Sequence, residues 1–276
     1  MHPILFKIPV PEFLQFLLPS ELVIASYGTL IALGILISTS YAQRQTKREL
    51  NLNPDTFWDM ILMLIILSVI GGKVFFYLED PMTYLADPSM MFKNIGNGFV
   101  FYGALIFSIL GLTAFFWKKN LPSWHLFDII AVMLTILHPI GRLGCFMAGC
   151  CHGVPTDHWI GIAFTDPNCV AKPLNTPLHP TQLYDAAQIL LIFIVLRIVE
   201  KRKTFHGQVA LLYVMLYAIG RSIVEIFRGD EERGYVIENV LSHGQFTSII
   251  LFLVALGFYF YIRKRPDLQL KTQTHP

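Results

Sequence analysis

The sequence predicts an all-α polytopic membrane protein of about seven transmembrane helices, N-terminus outside and C-terminus inside, built as a single transmembrane domain over residues 1–276. Composition predicts the class: 54% of residues are hydrophobic and only 14% are charged, whereas a soluble domain carries about 25% charge. Apolar runs long enough to span predict the helices, since a crossing needs roughly 20 mostly apolar residues. The lopsided placement of lysine and arginine between those runs predicts the orientation.

Residues 1–20 are apolar but broken by Pro3, Pro9, Pro11 and Pro19, with Lys7 as the basic residue. A secretory signal wants a basic start and an unbroken apolar run, so this stretch reads as an outer interfacial arm. The runs that follow are about 22–42, 57–78, 98–117, 125–148, 182–199, 207–227 and 244–262, with 263–276 as a cytoplasmic tail. Gly96-x-Gly98 before the third run reads as a turn. The fourth is interrupted by His138-Pro139 and by glycines, which predicts irregular backbone near its outer end. Such backbone is tolerated at membrane depth where it lines a wet cavity or is buried in protein.

Arg44, Lys47 and Arg48 follow the first run, and Lys118 and Lys119 the third. Arg197, Lys201, Arg202 and Lys203 end the fifth, and Arg263, Lys264, Arg265 and Lys271 the last. The opposite side holds only Lys7, Lys93, Lys172, Arg228 and Arg233. Basic connections stay in the cytoplasm, which sets the orientation and agrees with seven crossings. These clusters are topology signals, and nucleic-acid binding is not expected.

Ionisable groups inside a membrane usually mark function, and here they gather at one depth. Tyr102 and Gly103 open the third run from outside. His138, Arg142 and Cys145 lie in the outer half of the fourth, and His179, Gln182, Tyr184 and Asp185 open the fifth. Tyr217, Arg221, Glu225 and Arg228, spaced four, four and three, share a face of the sixth. Arginines facing outward among helices suit a phosphate, through bidentate charge-assisted contacts. At that leaflet the available phosphates are lipid headgroups.

Three motifs carry a family resemblance. Gly141-Arg142-Leu143-Gly144-x-Phe146-x-x-Gly149-x-x-x-Gly153 resembles the signature of the prolipoprotein diacylglyceryl transferases. His179-Pro180-Thr181-Gln182-Leu183-Tyr184-Asp185 is similar to that family's His-Pro-Ser-Gln-Leu-Tyr-Glu. Tyr217-x-x-Gly220-Arg221-x-x-x-Glu225-x-x-Arg228-Gly229 resembles its late arginine motif, and Leu241-Ser242-x-Gly244-Gln245 the entry to its last span. Weaker echoes are Tyr27-Gly28, Asp59 and Gly71-Gly72-Lys73.

The resemblance implies a multi-pass enzyme of the bacterial cytoplasmic (inner) membrane. It moves the diacylglyceryl group of phosphatidylglycerol to the lipobox cysteine thiol in the signal peptide of a prolipoprotein, releasing glycerol phosphate, with no cofactor and no metal. It implies catalytic roles for Arg142, Arg221, Tyr102 and Glu225. Substrate contacts would come from the two arginines with Tyr217, Arg228, His179, Gln182, Tyr184, Asp185, Gly103 and Gly153.

The departures lie in the site. Phe101-Tyr102-Gly103-Ala104 stands where the family has Phe-His-Gly-Gly, and tyrosine, with a pKa of about 10, is a poor base near neutrality. His138, His152 and His179 are candidate replacements. Cys145 stands in place of the signature's asparagine, and Cys150 in place of its glutamate, followed by Cys151 and His152. Cys145, Cys150, Cys151 and His152 suggest a metal site, because thiolate and imidazole suit zinc, although the spacing does not fit a common structural zinc motif. A disulfide from Cys169 to Cys150 or Cys151 suits an oxidising outer loop, beside a metal site, packing residues or a reactive thiol as alternatives. Two other functions stay open on the same residues. One is a phospholipid-dependent transferase with a different acceptor, and the other a cysteine-rich redox or metal-handling membrane protein.

Overall fold

A computed structural model describes residues 1–15, 20–93, 98–228, 235–237 and 240–270. Pro19, Gly96, Gly229, Arg233 and Lys271, used above, fall outside them. Among the described residues six helices are long and apolar enough to cross a membrane: α2 (Pro54–Glu79), α5 (Phe101–Lys118), α6 (Ser123–Ala148), α7 (Thr181–Glu200), α8 (Gln208–Glu225) and α9 (His243–Arg263). A further long helix, α1 (Ser26–Leu50), precedes them, and short helices α3 (Pro81–Ala86) and α4 (Ser89–Lys93) follow α2. The chain is an all-α polytopic membrane protein.

The first expected span is displaced. Residues 22–25 are apolar, but they form strand β2 (Glu21–Ala25), paired antiparallel with β1 (Ile4–Pro9). Pro9, one of the prolines that argued against a signal helix, ends β1, since proline tolerates extended backbone at a sheet edge. The ribbon's apolar side chains stand in the open, Phe6 at 56% and Val23 at 50%. With four apolar residues spent in β2, α1 ends in the polar Arg44–Leu50 segment.

The structure also overturns the expected break in α6. The helix runs without interruption through Pro139. Proline costs one backbone hydrogen bond and a clash in the preceding turn. Here that turn holds Thr135, fully buried and donating its hydroxyl to the carbonyl of Val132 at 2.7 Å.

Two compact units emerge. Residues 43–126 form one, centred on α2 and α5. These helices approach so closely that a Cβ on Gly71 would lie 2.3 Å from the Gly103 carbonyl oxygen, and one on Gly103 2.2 Å from that of Gly71. Residues 1–42 and 127–276 form the other. Its core packs Val132 of α6 with Ile189, Ile192 and Leu196 of α7 and Val209 of α8. Asp128, 1% exposed, fixes the turn before α8 by accepting from the backbone N–H of Gly207 at 3.0 Å and of Ala210 at 2.9 Å, and from Lys203 Nζ at 3.1 Å. A carboxylate suits the partial positive charge of a helix start. At the far end of the bundle, Ser242 and Gln245 close a reciprocal capping box on α9.

Candidate active site

The site lies in the larger unit, where α6, α7 and α8 bring their polar ends together. Arg142 Nη2 meets Asp185 Oδ2 at 2.8 Å, and its Nε donates to His138 Nε2 at 3.2 Å, one helical turn back. Asp185 is 1% exposed and also accepts from Gln188 Nε2 at 2.9 Å. It is wholly engaged inside the protein. The His138 ring lies 5.6 Å from that of Tyr217, which stacks on Tyr213. His138 is within electrostatic reach of Arg142, Asp185 and Arg221 together.

On α8, Arg221 Nη2 meets Glu225 Oε2 at 2.5 Å, one turn apart. Glu225 Oε1 takes a hydrogen bond from Ser242 Oγ at 3.4 Å. Gly244 leaves room for this carboxylate, since a Cβ there would sit 2.7 Å from Oε1. Among the described residues, Arg221 Nη1 is buried with no hydrogen-bond partner, as is Gln182 Oε1. Buried polar atoms are nearly always paired, so an unpaired guanidinium nitrogen at this depth is a standing demand for an anion.

The fourth member of the predicted stripe is not on the helix. After Glu225 the chain tightens, with Phe227 N–H donating to the carbonyl of Val224 and Arg228 N–H to that of Glu225, three residues back in each case. It then peels away, because Val154 N–H donates to the Phe227 carbonyl at 3.1 Å and Arg228 pairs with Gly153. The Gly153 N–H donates in turn to the His179 carbonyl at 2.8 Å. A Cβ at Gly153 would lie 2.2 Å from the Phe227 oxygen, so this glycine serves backbone approach.

The His179–Asp185 motif clamps the same loop. Thr181 Oγ1 donates to the Cys151 carbonyl at 2.6 Å and Gln182 Nε2 to that of Cys150 at 2.7 Å. His179 Nδ1 and the Tyr184 hydroxyl are 3.0 Å apart, and both rings pack on Phe227. His152 Nδ1 lies 2.9 Å from the carbonyl oxygen of Gly153, with its ring against Phe164.

In the smaller unit, Tyr102 is 41% exposed in the first turn of α5, and Gly103 is buried against α2.

The cysteines depart from expectation. All four are free thiols, so the pairing of Cys169 with Cys150 or Cys151 is not formed. Cys169 packs with Phe164, Ala171 and Leu178, and burial pushes its thiol up. Cys145, Cys150 and Cys151 instead converge, their sulfurs all within 4.8 Å of one another. Thiol donors from Cys145 and Cys150 hold the Cys151 thiol well below the usual range, while the same sharing pushes Cys150 up. Sequence reasoning grouped these three cysteines with His152 as a metal alternative and favoured the disulfide; the convergence was signalled by Gly149, and His152 is not part of it. The last turn of α6 ends in a Schellman motif, with Gly149 at φ +73°, its N–H bonded to the Phe146 carbonyl and the Cys150 N–H to that of Cys145. That motif folds the residue after the glycine back over the one five before it.

Residues 14–261 match the profile of the family described as prolipoprotein diacylglyceryl transferase. A phosphatidylglycerol–prolipoprotein diacylglyceryl transferase of Clostridium tetani is 35% identical, covering 95% of this chain and 97% of its own length. A second, from Clostridium perfringens, is 34% identical over 86% of this chain and 90% of its own. One from Aliarcobacter butzleri is 32% identical over 86% and 89%.

Proposed function

The chain belongs to the prolipoprotein diacylglyceryl transferase family, and we propose that it transfers the diacylglyceryl group of phosphatidylglycerol to the lipobox cysteine of prolipoproteins in the cytoplasmic membrane. The reaction is a displacement at an sp3 carbon. The lipobox sulfur forms a C–S bond, the carbon–oxygen bond to phosphate breaks, the thiol proton is given up and glycerol phosphate leaves. Charge grows on the departing phosphate, so fixed cations aimed at it lower the barrier.

The observation that carries this reading is the unpaired, buried Arg221 Nη1, within electrostatic reach of the His138 that also binds Arg142. Arg221 donates from Nη1 to the phosphate while Glu225 holds its other nitrogen. Arg142, oriented by Asp185 and His138, offers a second guanidinium face. Asp185 and Glu225 are positioning residues, since each is spent on an arginine. Tyr217 and Arg228 border the same headgroup, and His179, Gln182 and Tyr184 fix the loop carrying Gly153. Tyr102 enters on the sequence pattern alone. The reading keeps the whole chain as one transmembrane domain.

The test incubates purified protein with phosphatidylglycerol and a lipobox peptide and detects the adduct by mass spectrometry. Arg142→Ala and Arg221→Ala should each lower the rate on the order of 100-fold or more. Activity surviving both changes would remove the phosphate clamp. Tyr102→Phe asks separately whether that hydroxyl takes part.

A further inference from the structure

Three thiols gather at the end of α6 without forming a disulfide and without a place in the transfer chemistry. Two backbone features bring them together. The Schellman turn at Gly149 returns Cys150 over Cys145, and its thiol points at the Cys145 carbonyl at 3.6 Å. Cys151 then adopts φ +60°, a left-handed conformation rare for a side-chain-bearing residue. In ordinary extended backbone two adjacent cysteines point to opposite sides, and here both sulfurs join the same cluster. The conformation is held from outside, because Thr181 and Gln182 of α7 bind the carbonyls of Cys151 and Cys150. The ligand set is thus arranged before any ligand arrives.

We propose that Cys145, Cys150 and Cys151 form a site for one soft, thiophilic cation of the copper(I) class, bound by three thiolates. Thiolate sulfur selects such ions over magnesium or calcium. Structural zinc sites are closed by four ligands, and among the described residues this cluster offers three. A three-sulfur set suits trigonal copper(I). Three thiolates around a monovalent ion leave net negative charge, and Arg142 and Arg228 both lie within electrostatic reach of Cys151 to offset it. The site adjoins the transfer site without depending on that reading, since its test needs no lipid substrate.

The experiment uses the full chain in detergent, reduced with a phosphine, and titrates copper(I) against a chromophoric copper(I) chelator. Wild type and Cys169→Ser should each withdraw one equivalent. Cys145→Ser, Cys150→Ser and Cys151→Ser should each weaken binding on the order of 100-fold or more, at least the loss typical of a disturbed metal shell. A measurement free of variants stands beside it: copper(I) should protect these three cysteines, and not Cys169, from alkylation mapped by peptide mass. X-ray absorption should show sulfur neighbours only. No withdrawal from the chelator, or alkylation unchanged by copper, would overturn the site. A mixed sulfur and oxygen shell formed with zinc in preference to copper would overturn the choice of ion.

Discussion

Arg142 shows what a single residue must be given to keep its charge among helices. Its side chain is 16% exposed, and its carboxylate partner Asp185 is buried. A buried ion pair adds little net stability, because desolvation consumes most of the attraction, but removing one partner strands the other at a cost of about 3–5 kcal/mol. Asp185→Asn should therefore lower the thermal midpoint in detergent and reduce transfer as Arg142 loses its orientation. The double change Arg142→Met with Asp185→Leu should regain most of the stability and none of the transfer. A wild-type midpoint for Asp185→Asn would refute the pairing. The sequence placed both residues at one depth from hydropathy alone, yet their mutual contact was illegible, because no spacing rule links residues on different helices. Asp128 was missed for the same reason: its partners, two backbone N–H groups and Lys203 Nζ, come from a turn some 80 residues away.

At the scale of elements, hydropathy located each long helix and left the ends open. Leu22–Ala25 read as the start of a span because strand and helix accept the same short apolar run, and pairing with Ile4–Pro9 decided for strand. Arg228 read as helical because its spacing from Glu225 fits a turn, and pairing with Gly153 drew it off. Close helix contact was legible only as small residues. Gly71 and Gly103 allow α2 and α5 to meet backbone to backbone, as small residues do at membrane helix interfaces. Gly71→Ala would press a Cβ to 2.3 Å from a carbonyl oxygen that cannot move aside, so the helices must separate. Overpacking of this kind costs about 1–3 kcal/mol. Gly28→Ala, where a Cβ meets nothing within 4 Å, is the control. Unfolding of the two variants in detergent should show a lowered midpoint for the first and an unchanged one for the second, and equal midpoints would show that α2 and α5 do not meet through these glycines.

For the whole molecule the remaining physical question is orientation, which hydropathy and packing leave free and charge decides. Arg44, Lys47 and Arg48 close α1, Lys118 and Lys119 close α5, and Arg197 with Lys201, Arg202 and Lys203 closes α7. Arg263, Lys264 and Arg265 close α9. Lysine and arginine in short connections resist export, whereas aspartate and glutamate contribute little. The ends of α1, α5, α7 and α9 are therefore expected in the cytoplasm, and the polar cluster of Arg142, Asp185 and Arg221 toward the outer leaflet. A green fluorescent protein fused after Pro276 should fluoresce, and alkaline phosphatase at the same point should be inactive. Phosphatase inserted after Asp157, in the connection between α6 and α7, should be active. The reverse pattern would put the arginines toward the cytoplasm. That result would leave the fold intact and remove the outer-leaflet reading of the site, because headgroup recognition by these arginines is tied to the face on which α6 ends and α7 begins.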